Sequence, residues 1–251
     1  MIRGVCFDMG GTLHLIDNPP AYKLAFAVWL KERLSDYGIE LPDEASVLEE
    51  VLAHAAERYK LVSDACCKEY NPVAIWHDFF LEKYDIPVRQ IAPLAEELCF
   101  RYDYCRSHIV RREEIRETFS ALKNMGCKTG IISNIISRTV VPQFLADYGI
   151  DHLTDCIVTS CESGIRKPDP AIFRIAEDRL ALSAQELAYV GDTISRDVIG
   201  TRNAGWAMMI RIKTPAPSKR DASLKAEEHP ADALIEDLYE IPAIIAAYNS
   251  R

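Results

Sequence analysis

Short apolar runs alternate with amphipathic stretches along most of the chain. The segments IRGVCF (2–7), KTGIIS (128–133), CIVTS (156–160), LAYVG (187–191) and AMMIRI (207–212) are the near-continuous runs expected of strands buried on both faces. Between them the period lengthens to that of a helix. Over 136–148, Ile136, Val140, Val141, Phe144, Leu145 and Tyr148 share one face, and Gly149 follows as a C-cap. From about residue 113 the two patterns alternate, the βα order of a parallel sheet covered by helices, so the predicted fold class is α/β. A last short strand and helix are expected within 233–249, after the polar loop KTPAPSKRDASLKAEEHP (213–230).

About 120 residues separate the first strand from the second, far more than one crossover helix requires. The pattern predicts helices over 21–36, 44–60, 72–84 and 88–104; in the second, Val47, Leu48, Val51, Leu52, Ala55, Ala56 and Tyr59 form an amphipathic stripe. Pro19-Pro20, Leu41-Pro42-Asp43 and Ile86-Pro87 punctuate the series where helices should begin or end. Trp29, Trp76, Phe79 and Phe80 recur at helical spacing and are expected to pack inside it. The predicted organisation is an α/β core from 1–15 and 108–251, with 16–107 inserted as a small helical bundle.

Composition narrows the partners. With 251 residues, 49% of them hydrophobic and 27% charged, the chain has the balance of a folded globular protein. A net charge of −9 disfavours nucleic acid or an anionic membrane as a bulk partner. No run approaches the roughly 20 apolar residues of a membrane span, and Met1 leads straight into the first apolar run without a signal-peptide pattern, so a cytoplasmic protein is expected. Eight cysteines without a CxxC pair are expected to be reduced, buried thiols.

The chemistry gathers at the ends of the predicted strands. Asp8 ends the first, Ser133 and Asn134 the second, Lys167 follows the third by a short loop, and Asp192 follows the fourth. Parallel sheets bind ligands in the crevice outside those ends. Taken singly, Asp8 before Gly-Gly-Thr is a turn residue, Ser-Asn a helix cap and Lys-Pro-Asp-Pro an exposed turn. Together at four strand ends they form a site: a carboxylate able to attack phosphorus, a lysine to neutralise charge, and hydroxyl and amide groups for phosphate oxygens. Gly11 can bring the backbone close to a ligand, and Thr12 can bond the turn or the phosphate.

The segments FDMGGTL, IISN, RKPDPAIF and YVGDTISRDVIG, in that order over nearly the whole chain, resemble the motifs of the haloacid dehalogenase-like hydrolase superfamily, in its branch with a helical cap inserted after the first motif. The resemblance implies a Rossmann-like three-layer core under a helical cap. It implies Mg²⁺ held by Asp8, Asp192 and the Gly10 carbonyl, with Asp197 orienting the metal's waters from behind. It also implies that Asp8 is the nucleophile, that Lys167 assists it, and that Ser133, Asn134, Gly11 and Thr12 grip the phosphate of a small phosphorylated metabolite. Cap hinges are expected near His14–Asn18 and Ser107–Arg112; His14 is read as structural, and Arg111 and Arg112 as solvated rather than as substrate contacts.

One position departs from the pattern. Most phosphatases of this family carry a second aspartate where Gly10 stands, to protonate the leaving group and activate water. General acid–base catalysis is worth roughly 10²- to 10⁴-fold, so its loss weakens a phosphatase without abolishing it. Three readings stay open: a Mg²⁺-dependent phosphatase working through an aspartyl-phosphate on Asp8, another chemistry of the family such as carbon–halogen or carbon–phosphorus cleavage, or a scaffold that binds a phosphorylated ligand and turns it over negligibly.

Overall fold

The computed structural model describes residues 1–215 and 219–251. Six parallel strands lie in the order β5-β4-β1-β6-β7-β8: β1 Gly4–Phe7, β4 Lys128–Ser133, β5 Cys156–Thr159, β6 Leu187–Gly191, β7 Met208–Ile212 and β8 Ala233–Ile235. Every strand predicted from the apolar runs is present, within two residues at its ends. Side chains alternate across the sheet. Val5, Phe7, Ile131, Val190 and Ile210 join one apolar cluster; Cys6, Ile132, Tyr189 and Met209 join another on the opposite face. Helices cover both clusters, which makes three layers.

The chain leaves β1 for β4 and β5 on one side, then crosses back to β6 on the other. Asp8 and Asp192, one residue beyond β1 and β6, therefore flank the point where the strand order reverses, the usual ligand crevice of such sheets.

Helices α1 (Pro20–Ser35), α2 (Ala45–Cys66) and α3 (Ala95–Cys105), with shorter turns over 72–91, pack about their own apolar cluster, in which Leu30, Leu48, Leu52, Trp76, Ile91 and Leu98 are fully buried. Two predicted helices are interrupted. The stretch 72–84 is an α turn, a π segment Ile75–Phe80 and a 3₁₀ turn; 88–104 splits into Val88–Ile91 and α3 around Pro93, whose ring and missing N–H are incompatible with a helix interior. Helix α2 instead runs on to Cys66, beyond the end of its apolar stripe.

A two-stranded antiparallel ribbon, absent from the sequence reading, joins insert to sheet. Its strands are β2 His14–Asp17 and β3 His108–Arg111, with His14 opposite Arg111 and Asp17 opposite His108. After β4 the loop 134–139 precedes helix α4 (Val140–Tyr148), which starts four residues later than predicted. The expected final strand and helix are β8 and Glu240–Asn249. Of the predicted polar loop, 216–218 lie outside the described residues; a 3₁₀ turn, Lys219–Asp221, follows them.

Candidate active site

Lys167 is the fixed point of the site. Its fully buried ammonium donates to Asp8 Oδ1 at 2.9 Å, to Asp197 Oδ1 at 2.7 Å and to the Tyr189 hydroxyl at 2.7 Å. Tyr189 in turn donates to the Ile132 carbonyl at 2.8 Å, which ties the lysine to strands β4 and β6. The other carboxylate oxygen of Asp197, Oδ2, accepts from the amide and hydroxyl of Thr193, at 2.9 and 2.6 Å. Both oxygens of Asp197 are thus occupied by protein donors.

Burial works to lower the Lys167 pKa, but the carboxylates of Asp197 and Asp8 outweigh it, and the ammonium sits above its ordinary value. Burial pushes Asp8 above the usual carboxylate range, while the neighbouring ammonium pulls it back.

Asp192 is different. Among the described residues no neighbouring group donates a hydrogen bond to its carboxylate, and Oδ1 is buried without a partner. Its pKa is pushed up to about 8, first by burial and then by Asp197 and Asp8. Gly11, at φ +85°, makes this packing possible: a Cβ there would collide with the Asp192 carboxylate.

Asp8, Asp192 and Asp197 each place a carboxylate oxygen within 4.8 Å of the others, and the Lys167 ammonium pairs with two of the three. A buried carboxylate with an unpaired oxygen costs free energy unless a cation or donor meets it. The donor set fits a hard divalent cation, with Asp8 and Asp192 supplying oxygens. The Gly10 carbonyl accepts no hydrogen bond among the described residues and is available as a third.

A model of the haloacid dehalogenase-like hydrolases matches residues 2–205. The chain belongs to that family. A glyceraldehyde 3-phosphate phosphatase of Methanothermobacter thermautotrophicus is 30% identical over 254 residues, covering 98% of this chain and 100% of the relative. A ribulose-1,5-bisphosphate 5-phosphatase of Halopiger xanaduensis is 26% identical and covers 98% and 100%. Among solved structures, a 2-haloacid dehalogenase from Pseudomonas syringae pv. Tomato superposes with a TM-score of 0.67 at 23% identity, over 99% of this chain and 100% of that one, a likeness of fold.

In this haloacid dehalogenase-like hydrolase the remaining predicted residues divide. Ser133 ends β4 beside β1 and is buried. Thr12 is fully buried, and its hydroxyl has no partner among the described residues. Asn134 is put to a use the sequence reading did not give it: its amide donates to the Lys167 carbonyl at 3.0 Å and accepts from the Lys167 N–H at 2.8 Å. Both ends of that amide hold the lysine's loop. The peptide N–H groups that follow are also taken, by carboxylates of α3: Asp103 Oδ2 accepts from Ile136 and Ser137 at 3.2 and 3.1 Å, and Glu96 Oε1 from Arg138 at 2.8 Å. These bonds hold residues 136–139 outside helix α4.

Gly10 faces the ribbon. An ideal Cβ there would lie 2.9 Å from Ile16 Cδ1 and 3.9 Å from His14 Nε2. His14 is buried, shares a 2.7 Å hydrogen bond with the Tyr148 hydroxyl and packs against Phe144; burial holds its pKa down to about 4, so near pH 7 it is neutral. Asp221, which the sequence reading also missed, caps the turn carrying Asp197 by accepting from Ile194 and Ser195 at 2.6 and 3.0 Å.

Proposed function

We propose that the chain is a Mg²⁺-dependent phosphatase of a small phosphorylated metabolite, acting through an aspartyl-phosphate on Asp8. The observation that carries this reading is the Asp192 carboxylate, close to Asp8, with its buried Oδ1 lacking a donor among the described residues. Relatives named as phosphatases that align over nearly the whole chain support it. A bound Mg²⁺ would supply charge neutralisation for the transferring phosphoryl group and its surroundings.

The chain's own residues account for the rest. Asp8 attacks phosphorus in line as the bond to the leaving oxygen breaks. Lys167 keeps Asp8 oriented and shares the charge that accumulates. Asp197, held by Thr193, orients Lys167 and does not itself ligate metal. Ser133 and Thr12 face the phosphoryl oxygens. Water then cleaves the acyl phosphate and frees Asp8. Residues 16–107 act as a cap on the β2–β3 ribbon, with hinges at 14–18 and 107–112. A cytoplasmic setting belongs to the same reading; no described helix is long and apolar enough to cross a membrane.

With glycine at position 10 and a neutral His14 behind it, the leaving group departs without a carboxylic acid from this loop. Activated esters are therefore the favoured test substrates. On p-nitrophenyl phosphate, turnover should require Mg²⁺ and fall by about 10⁴-fold or more in Asp8→Asn; metal-independent turnover, or turnover that survives this change, would sink the reading. For an alkyl phosphate, Gly10→Asp combined with Ile16→Ala, which clears the space a side chain at 10 needs, should raise kcat by roughly 10²-fold.

A further inference from the structure

Tyr189 brings a hydroxyl to the edge of an apolar cluster. Its ring packs edge-on against Phe173 and Trp206, with centroids 5.2 and 6.0 Å apart, and the residue is wholly shielded from solvent. A phenylalanine would satisfy that packing equally well. What tyrosine adds is two hydrogen bonds among the described residues, to the Ile132 carbonyl at 2.8 Å and from the Lys167 ammonium at 2.7 Å. Their direction is forced, because a carbonyl can only accept and an ammonium can only donate.

An ammonium has three N–H groups to give. Asp8 Oδ1 takes one at 2.9 Å, Asp197 Oδ1 another at 2.7 Å, and Tyr189 the third, so no donor is left over for a phosphoryl oxygen. The backbone of Lys167 is anchored separately. Asn134 bonds both its N–H and its carbonyl, and the preceding Arg166 pairs with Asp64 of helix α2 at 3.2 Å, where Arg196 at 2.9 Å and Arg220 also meet. Those contacts leave the flexible four-carbon stem of the lysine undetermined. Only the partners of the ammonium itself can aim it. Of the three, Tyr189 is the uncharged one, and its other bond goes to the residue just before Ser133 on β4. On β6 it lies opposite Cys6 of β1, two residues ahead of Asp8. One hydroxyl thus ties the ammonium that holds Asp8 to the strand that presents Ser133.

We propose that Tyr189 is a positioning residue of this site: by taking the third N–H of Lys167 it fixes the ammonium on Asp8, and Lys167 acts on the substrate only through that carboxylate. The inference rests on the phosphatase reading above and adds to it a residue that touches neither substrate nor metal.

Tyr189→Phe tests it, since the variant loses the hydroxyl and keeps the ring, whose centroid lies 5.2 Å from the ammonium. On p-nitrophenyl phosphate with Mg²⁺, kcat should fall by about tenfold, the size of one hydrogen bond to a charged group, while KM stays within about twofold. A purely structural hydroxyl would lower the unfolding midpoint and spare the kcat of the folded protein. An unchanged kcat, or a loss of kcat/KM that lies in KM, therefore overturns the proposal. A second measurement reads the ammonium directly. In ¹H–¹⁵N spectra of wild type near pH 7, the Lys167 ammonium, assigned through its Cε, should give a signal that outlasts those of exposed lysines, and Tyr189→Phe should speed its exchange with water by about tenfold or more. A wild-type signal that is missing, or exchange unaltered in the variant, overturns the proposal as well. Failure of wild type to turn over p-nitrophenyl phosphate sinks the phosphatase reading instead, and the spectra alone then decide whether Tyr189 positions Lys167.

Discussion

Asp192 and Asp103 are both partly buried aspartates, and both have a pKa raised to about 8 with burial as the leading cause. Their surroundings differ. Asp103, on α3, accepts the N–H groups of Ile136 and Ser137 and closes the junction between insert and sheet. Among the described residues Asp192 accepts from no neighbour, and it faces two further carboxylates. A shifted acid is therefore not by itself a sign of chemistry. What separates the two is whether the protein supplies the donors that burial demands.

The comparison can be broken most directly by neutralising each acid. Asp192→Asn should reduce Mg²⁺-dependent turnover by about 10³-fold or more, whereas Asp103→Asn should leave it within about threefold; steady-state kinetics on one substrate would check both, and equal losses would erase the distinction. Proton competition sharpens it further. Because Asp192 must lose its proton to accept a cation, Mg²⁺ affinity measured by calorimetry should rise as pH increases toward 8, by up to about tenfold per unit, and flatten above. The smallest effect concerns stability. A carboxyl whose pKa is raised on folding contributes most at low pH, and its contribution is lost as pH rises from the unfolded value of 3.8 through the folded value of about 8. Asn at position 103 keeps an oxygen for the two amides without that loss. Asp103→Asn should match wild type near pH 4 and exceed it by roughly 2 kcal/mol at pH 9 in urea unfolding.

The core strands were legible because a parallel sheet buried on both faces leaves apolar runs that little else produces. Asp8 and Asp192 stand one residue past such a run, Ser133 ends one and Lys167 follows another by a short loop, which is why the four were grouped from sequence. The β2–β3 ribbon was not, since its strands pair across the whole insert and neither HLID nor HIVR carries a strong pattern alone. Tyr189 was hidden inside LAYVG, where it reads as core. Glu96 and Asp103 read as ordinary polar positions of a helix, because nothing local says that peptide amides of a distant loop will meet them. The break in 88–104 had a visible signal in Pro93 that the helical period outweighed. Asn134 was placed correctly at the end of β4, but its partner is the backbone of Lys167, a tertiary fact that a motif does not spell out.

Three pairs of neighbours along the chain, Arg166-Lys167, Arg196-Asp197 and Arg220-Asp221, divide their labour in the same way. The second member builds the floor under Asp8, while the arginine reaches across to Asp64. This bears on recombination. A chimera cut at the ribbon, with a foreign helical segment in place of 16–107, would leave three guanidinium groups without their carboxylate, each one peptide bond from a residue of the site. Such a transplant should take only when the donor segment brings an acid to the position of Asp64, so this one side chain works as a compatibility key between the two halves.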